Sequence, residues 1–411
     1  MSHAAGAAAA AAEQAARQAY GRLLALLCAH TRDIALAEDA LADAFERALT
    51  HWPRDGVPDQ PAAWLLTVAR RRALDAWRHA AVHDAAAAAL QAVAEACGEA
   101  ADPQAVPDER LRLLFVCAHP AIDAAARAPL MLQCVLGLDV QRMASAFLTA
   151  PATMGQRLAR AKTRIRQAGI AFASPEAAQL PARLRDVLDA LYAAYGTGWD
   201  AIDGSEATRC LAAEAIALGR LLCQQLPQEP EAAGLLALML FCEARHPARR
   251  DAAGRYVPLD QQATALWQPA LLAEAETVLS LACRLGRPGP FQIEAAIQSA
   301  HTQRRLGAPV PAQAVLALYD ALLVLRPNVG AAVGRACALA QAEGAAAGLQ
   351  ALDALAPDEV AAYQPYWAAR AHLLAASGRD AGAAYARAIG LATQPAVRTH
   401  LQQLARHQAA P

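Results

Sequence analysis

Between Thr153 and Arg166 the groups able to bond phosphate oxygens and base edges crowd together: Thr153, Gln156, Arg157, Arg160, Lys162, Thr163, Arg164 and Arg166. Guanidinium and carboxamide groups form the paired hydrogen bonds that tell bases apart in the major groove, while hydroxyl and ammonium groups hold phosphates. No acid interrupts the chain between Val140 and Pro175. From Asp108 to Gln167 there are four acids against nine cations, although the whole chain has a net charge of −1. A uniformly basic coat is therefore excluded, and any nucleic-acid surface must be local. Arginine supplies all of the positive charge except Lys162.

A second set is acidic: Glu38, Asp39, Asp43 and Glu46. On a helix Asp39 and Asp43 lie one turn apart on one face. Such a face can dock on a basic partner, stay solvated, or hold a metal in an all-helical enzyme. The last needs a second carboxylate cluster facing the first, and none stands out in the sequence. A third set is Arg70, Arg71, Arg72 and Arg78. Each helical residue advances about 100 degrees, so the three successive arginines fan over about 200 degrees and cannot all serve one surface. Arg71 and Asp75, at i and i+4, can simply pair. No Ser-His-Asp or Cys-His arrangement and no glycine-rich phosphate loop stands out. The expectation is a protein that is not an enzyme, with no catalytic residues, no cofactor and no metal.

Helices must position these groups. Asp139 fits an N-cap, and Thr149-Ala150-Pro151 stops one helix and starts the next with proline early. Met154, Leu158, Ala161 and Ile165 recur at helical steps and form one apolar stripe. Thr153, Gln156, Arg160, Thr163 and Arg164 point away from it; Arg157, Lys162 and Arg166 flank it. A short helix, a tight turn and a helix cationic on its outer side meet the needs of major-groove reading. An amphipathic helix with a solvated arginine face is the alternative.

The chain has 411 residues, room for two or three domains. The patterning predicts an all-α protein. Residues 1–16 read as a frayed tail and 17–79 as a small helical module, broken by a loop from His51 to Pro61. Residues 80–107 read as a linker, 108–172 as a second helical module, and 180–411 as stacked helix pairs. In the last, breaks are expected at Gly196 to Gly204, Pro227 to Pro230, Gly286 to Pro290, Gly307 to Pro311 and Pro327 to Gly330. The run from Tyr366 through Gly378 and Ile389 to Pro395 follows a tetratricopeptide alternation. Nine scattered cysteines without a Cys-x-x-Cys pair read as reduced core residues. The longest apolar run, near Leu235 to Cys242, is too short for a bilayer. A cytoplasmic protein without membrane contact is expected.

Several stretches resemble conserved region two of bacterial extracytoplasmic-function sigma factors: Leu36 to Phe45, His51 to Gly56, Pro61 to Leu65 and Ala69 to Asp75. Thr153 to Lys162 is similar to the recognition helix of their region four. Asp108 to Leu113 and Cys117-Ala118-His119-Pro120 resemble the subgroup with a long C-terminal tetratricopeptide-like extension. The likeness covers essentially the whole chain, with motifs in the right order.

It implies a factor that binds core RNA polymerase at its clamp helices and flap, and promoter DNA at the minus-thirty-five and minus-ten elements. Glu38, Asp39, Asp43 and Glu46 would meet the clamp. The loop from Trp52 to Gln60, with Trp52, Arg54 and Asp55, would take a flipped minus-ten base, and Arg70, Arg71, Arg72 and Arg78 the strand backbone. Trp52, Trp64 and Trp77 sit at helical spacing, which fits core packing better than base stacking. Gln156, Arg157 and Arg160 would contact the minus-thirty-five element, with Thr153, Lys162 and Arg164 on phosphates. Neutralising about six phosphates gives a log-log salt slope of about −5. The repeats would regulate or assist, through a regulatory protein or the chain's own modules. Two departures stand out: Gly196-Thr197-Gly198-Trp199 replaces the subgroup's Asn-Glu-Gly-Tyr, and Met143 its isoleucine. A helix-turn-helix regulator acting without polymerase, its repeats sensing a ligand or protein, is the competing expectation.

Overall fold

The computed structural model describes residues 2–81, 109–147, 149–176, 178–200 and 206–409. Among them the regular structure is α-helical, apart from short 3-10 turns and one isolated bridge between Arg250 and Tyr256. The chain forms two units: Met1–Gly198 with Ser205–Leu218, and Trp199–Gly204 with Gly219–Pro411.

The first unit contains α1 (Ser2–Thr31), α2 (Ile34–Asp55), α3 (Pro61–Ala81), α4 (Arg110–Cys117), α5 (Ala124–Leu136), α6 (Val140–Ala146), α7 (Pro151–Gln167), α8 (Leu180–Asp200) and the start of α9 (Glu206–Gln225). Carboxylates cap the starts of α2, α5 and α6 and satisfy N–H groups that have no partner within the helix. Asp33 accepts from Ala35 and Leu36 at 2.9 and 3.2 Å, Asp123 from Ala125 at 2.8 Å, and Asp139 from Arg142 at 2.9 Å. Helix α1 packs on α2 and α3 and also on α4 and α5, so the two expected modules share one core. Gly21 makes this possible: a Cβ there would lie 1.8 Å from the Val135 carbonyl oxygen. Only glycine lets those backbones touch.

Four sequence expectations need correction. The frayed tail expected over 1–16 is helical from Ser2 on, and α1 buries Ala8, Ala12 and Ala15. Alanine covers every face of that stretch, so no hydropathy contrast announces the buried one. The expected loop from His51 is helical as far as Asp55, with Pro53 inside α2. In a last turn proline forfeits one hydrogen bond, and Gly56, at φ 87°, closes the helix by donating to the Trp52 carbonyl at 3.1 Å. The expected break at Gly196 is absent, since α8 runs on to Asp200; residues 201–205 lie outside the described residues. Finally, α8 and the start of α9 belong to the first unit rather than to a domain spanning 180–411. Arg127 with Asp186, at 2.8 Å, and Arg110 with Glu214 tie them to α5 and α4. Of the expected linker, Ala80 and Ala81 close α3, and residues 82–107 lie outside the described residues.

The second unit holds α10 (Pro230–Arg245), α11 (Pro269–Arg284), α12 (Pro290–Arg305), α13 (Ala312–Leu325), α14 (Val329–Glu343), α15 (Ala345–Asp353), α16 (Pro357–Val360), α17 (Gln364–Ala376), α18 (Gly382–Leu391) and α19 (Pro395–Ala409). Most helices pack on a neighbour in sequence, around a core that includes Leu349, Leu352, Ala371 and Ala388. Between α10 and α11 the chain leaves the helix-pair pattern for 3-10 turns at His246–Arg249, Leu259–Gln261 and Thr264–Leu266. Asp251 organises this excursion, its Oδ1 accepting from Ala253 and Arg255 at 2.9 Å each. Buried Trp267 anchors its far end by donating to Gln262 at 3.2 Å.

Candidate nucleic-acid interface

Helix α7 starts at Pro151 and buries Met154, Leu158, Ala161 and Ile165. That fixed stripe leaves Thr153, Gln156, Arg160 and Arg164 exposed. Among the described residues the guanidinium groups make long bonds to carbonyls: Arg160 to Gln156, Arg164 to Ala121 and Arg157 to Ala125, each 3.4 Å. Arg157 is half-buried. The result is a cationic ridge on α7, which starts at Pro151 after the short helix α6 ends at Ala146.

Lys162 does not belong to that ridge. Its Nζ sits 2.8 and 2.6 Å from the two Glu38 carboxylate oxygens, and the side chains are only 12% and 19% exposed. One residue expected on phosphate and one expected on polymerase therefore hold each other, because α7 packs against α2. Arg166 adds a looser pair with Asp33 at 3.5 Å. Around this seam Cys28, Cys134 and Tyr20 are pushed above their ordinary pKa. Burial leads at Cys28 and Tyr20, a hydrogen bond with Cys117 leads at Cys134, and the Glu38 charge contributes at all three. These thiols stay protonated, and every cysteine among the described residues whose side chain is placed is a free thiol.

The other acids divide. Asp39 and Glu46 are exposed on α2, whereas Asp43 bonds Arg72 of α3. Again a residue expected on polymerase meets one expected on DNA. Arg71 is exposed and Arg70 half-buried; Arg78 lies on α3, but its side chain is outside the described residues. Arg54 and Asp55 are exposed, with Asp55 3.5 Å from His51. Trp52 takes the core place that its helical spacing favours, not the base-pocket role that the resemblance implies. It is 3% exposed and meets Trp64 edge-on at 5.5 Å, so it packs the core instead of lining a base pocket. Continuation of α2 past His51 turns it inward.

The sigma-70 region 2 family model matches residues 16–82, from within α1 to the end of α3. A family of unknown function, DUF6596, matches residues 183–283. An uncharacterised protein of Rhizobium meliloti (strain 1021) is 37% identical over 401 residues, covering 96% of this chain and 94% of its own. The chain belongs to that protein's family and carries a sigma-70 region 2. No solved structure matches it. The region 2 match supports an RNA polymerase sigma factor, and the matched span contains Glu38, Asp39, Asp43, Glu46, Trp52, Arg54, Asp55, Arg70, Arg71, Arg72 and Arg78. Helix α7 lies outside both matched spans. Among the described residues, no helix is long and apolar enough to cross a membrane.

Proposed function

We propose that the chain is a sigma factor of the extracytoplasmic-function type: it binds core RNA polymerase, recognises the minus-ten and minus-thirty-five elements, and starts transcription. The observation that carries this reading is a sigma-70 region 2 in the same chain as the exposed ridge of Gln156, Arg160 and Arg164. Asp39 and Glu46 supply the polymerase-facing charge, since complementary charge sets register and encounter rate. Helices α6 and α7 act as the helix-turn-helix of region four, with α7 in the major groove. Arg54, Asp55, Arg70 and Arg71 serve the minus-ten strand. Glu38 and Lys162 become available only when α2 and α7 part, so promoter binding opens that seam. The helix pairs after α9 form a tetratricopeptide-like extension that regulates or assists.

Gel filtration of the full chain with core RNA polymerase tests the polymerase half of the reading. Co-elution at near-equal stoichiometry is expected. Elution apart from polymerase, with retained binding to duplex DNA, would favour a regulator that acts alone.

A further inference from the structure

Between α4 and α5 the chain turns through Ala118 to Asp123, and arginines from elsewhere in the first unit share out the carbonyls of this turn. Arg127 of α5 uses each of its guanidinium nitrogens: Nε donates to the Ile122 carbonyl at 3.0 Å, Nη2 to the Pro120 carbonyl at 3.3 Å and Nη1 to the Asp186 carboxylate of α8 at 2.8 Å. The carbonyl between those two in sequence, that of Ala121, accepts from Nε of Arg164 at 3.4 Å. Ala125, in the first turn of α5, accepts from Nη1 of Arg157 at 3.4 Å. Arg157 and Arg164 both belong to α7. One short turn is therefore bonded to a guanidinium that α8 holds and also to the cationic helix.

Local bonds keep the turn in shape. His119 Nδ1 accepts from the Ala121 N–H at 3.1 Å, the Ile122 N–H donates to the His119 carbonyl at 2.9 Å, and Asp123 accepts from the Ala125 N–H at 2.8 Å. Burial first, then the charges of Arg183 and Arg127, push the His119 pKa below its ordinary value, so the ring keeps the unprotonated nitrogen that its bond needs. Arg183 is 7% exposed and stands one helical turn before Asp186 on α8. The Arg127 and Asp186 side chains are 20% and 31% exposed, and charge-assisted bonds of this kind are the stronger ones. An arginine fork carries several donors in fixed geometry, so a guanidinium that uses one on a carbonyl keeps others for a phosphate and gains a preset direction. A direction fixed before binding lowers the entropy lost on contact.

We propose that Asp186 and Arg127 are positioning residues for α7: through the turn at 120–122 they set the direction in which Arg164 and Arg157 meet DNA. This role rests on the reading of α7 as the DNA-contacting helix. Loss of the Asp186 charge loosens Arg127, then the carbonyls it holds, then the arginines of α7. Helix α8, which follows the cationic helix in sequence, thereby takes part in how tightly the chain binds DNA.

The test is fluorescence anisotropy of the full-length protein on a labelled duplex of random sequence, titrated at several salt concentrations. Asp186→Asn, which keeps the shape and removes the charge, should weaken binding about fivefold with an unchanged log-log salt slope, since no phosphate contact is deleted. Arg127→Lys should do the same, because an ammonium can keep the pair with Asp186 but cannot span both carbonyls. In an Arg157→Ala, Arg164→Ala background Asp186→Asn should have no further effect, whereas in an Arg160→Ala background its effect should persist. Wild-type affinity in folded Asp186→Asn and Arg127→Lys proteins would overturn the proposal. So would an equal loss in the Arg157→Ala, Arg164→Ala background, which marks a general loosening instead of positioning. Failure of the underlying reading looks different: the wild-type chain would then bind the duplex no better than Arg160→Ala protein, and the positioning role would fall with it.

Discussion

Lys162 in the first unit and Arg245 in the second are both cations largely withdrawn from water, and they are satisfied in opposite ways. Lys162 meets a full countercharge, Glu38, across a seam between two helices that are distant in sequence. Arg245 meets a carbonyl, a carboxamide and a thiol within its own layer of helices. A pair of opposite charges can be separated and reused, because each member is competent to meet water or another partner once the seam opens. A guanidinium held by neutral acceptors keeps its charge uncancelled and makes its surroundings electropositive. The first arrangement suits a contact that must come apart. The second suits a permanent feature of the interior.

The largest effect should come from breaking the first arrangement from one side. Lys162→Met strands the Glu38 carboxylate and should cost about 2 kcal/mol, below the ~3–5 kcal/mol of fully buried pairs because both side chains keep some solvent. Adding Glu38→Leu should recover most of the loss. Urea unfolding of the two single variants and the double variant gives the coupling, and a double variant as unstable as Lys162→Met alone would count against a paired seam.

A comparable effect should come from pH in the second unit. Burial first, then Arg245 and Arg304, lower the His301 pKa from 6.5 to about 4. Between those values the unfolded chain binds more protons than the folded one, so stability is full above about pH 6.5 and falls as pH drops towards 4. The loss by pH 5 should be on the order of 2 kcal/mol. Hydrogen exchange on α10 and α12 at pH 7 and pH 5, corrected for intrinsic rates, reads it. Arg245→Met should flatten the dependence, because a repelling charge is gone.

Smaller effects separate the exposed cations from the paired ones. Arg160→Ala should leave the thermal midpoint in place, weaken duplex binding by about 1 kcal/mol and lower the log-log salt slope by about 1. An altered midpoint with an unchanged slope would move Arg160 to the structural side of the comparison. Least of all, Asp43→Ala, which frees Arg72 at the surface, should change stability by less than about 1 kcal/mol.

Much of the arrangement of α7 was legible in sequence, because a stripe recurring at helical steps has only one side to bury. The acid-free run around it marked the outer face equally plainly. Tertiary partners left no such trace: Glu38 and Lys162 are 124 residues apart, and neither residue type announces the other. Residues 1–16 hid their buried face behind uniform alanine. Pro53 and Gly196, ordinarily helix breakers, are carried inside α2 and α8. The packing of the 246–268 excursion was invisible for a different reason. Tyr256 meets His400 of α19 through an irregular excursion whose path follows from an aspartate-centred turn and a single bridge, not from a period.

Run-off transcription tests the central claim most directly: purified full-length chain is mixed with core RNA polymerase and a genomic promoter library. Discrete transcripts that appear only with the chain present, and that fall when Arg160 and Arg164 are replaced by alanine, are the predicted result. Transcription no different from core polymerase alone would contradict the account.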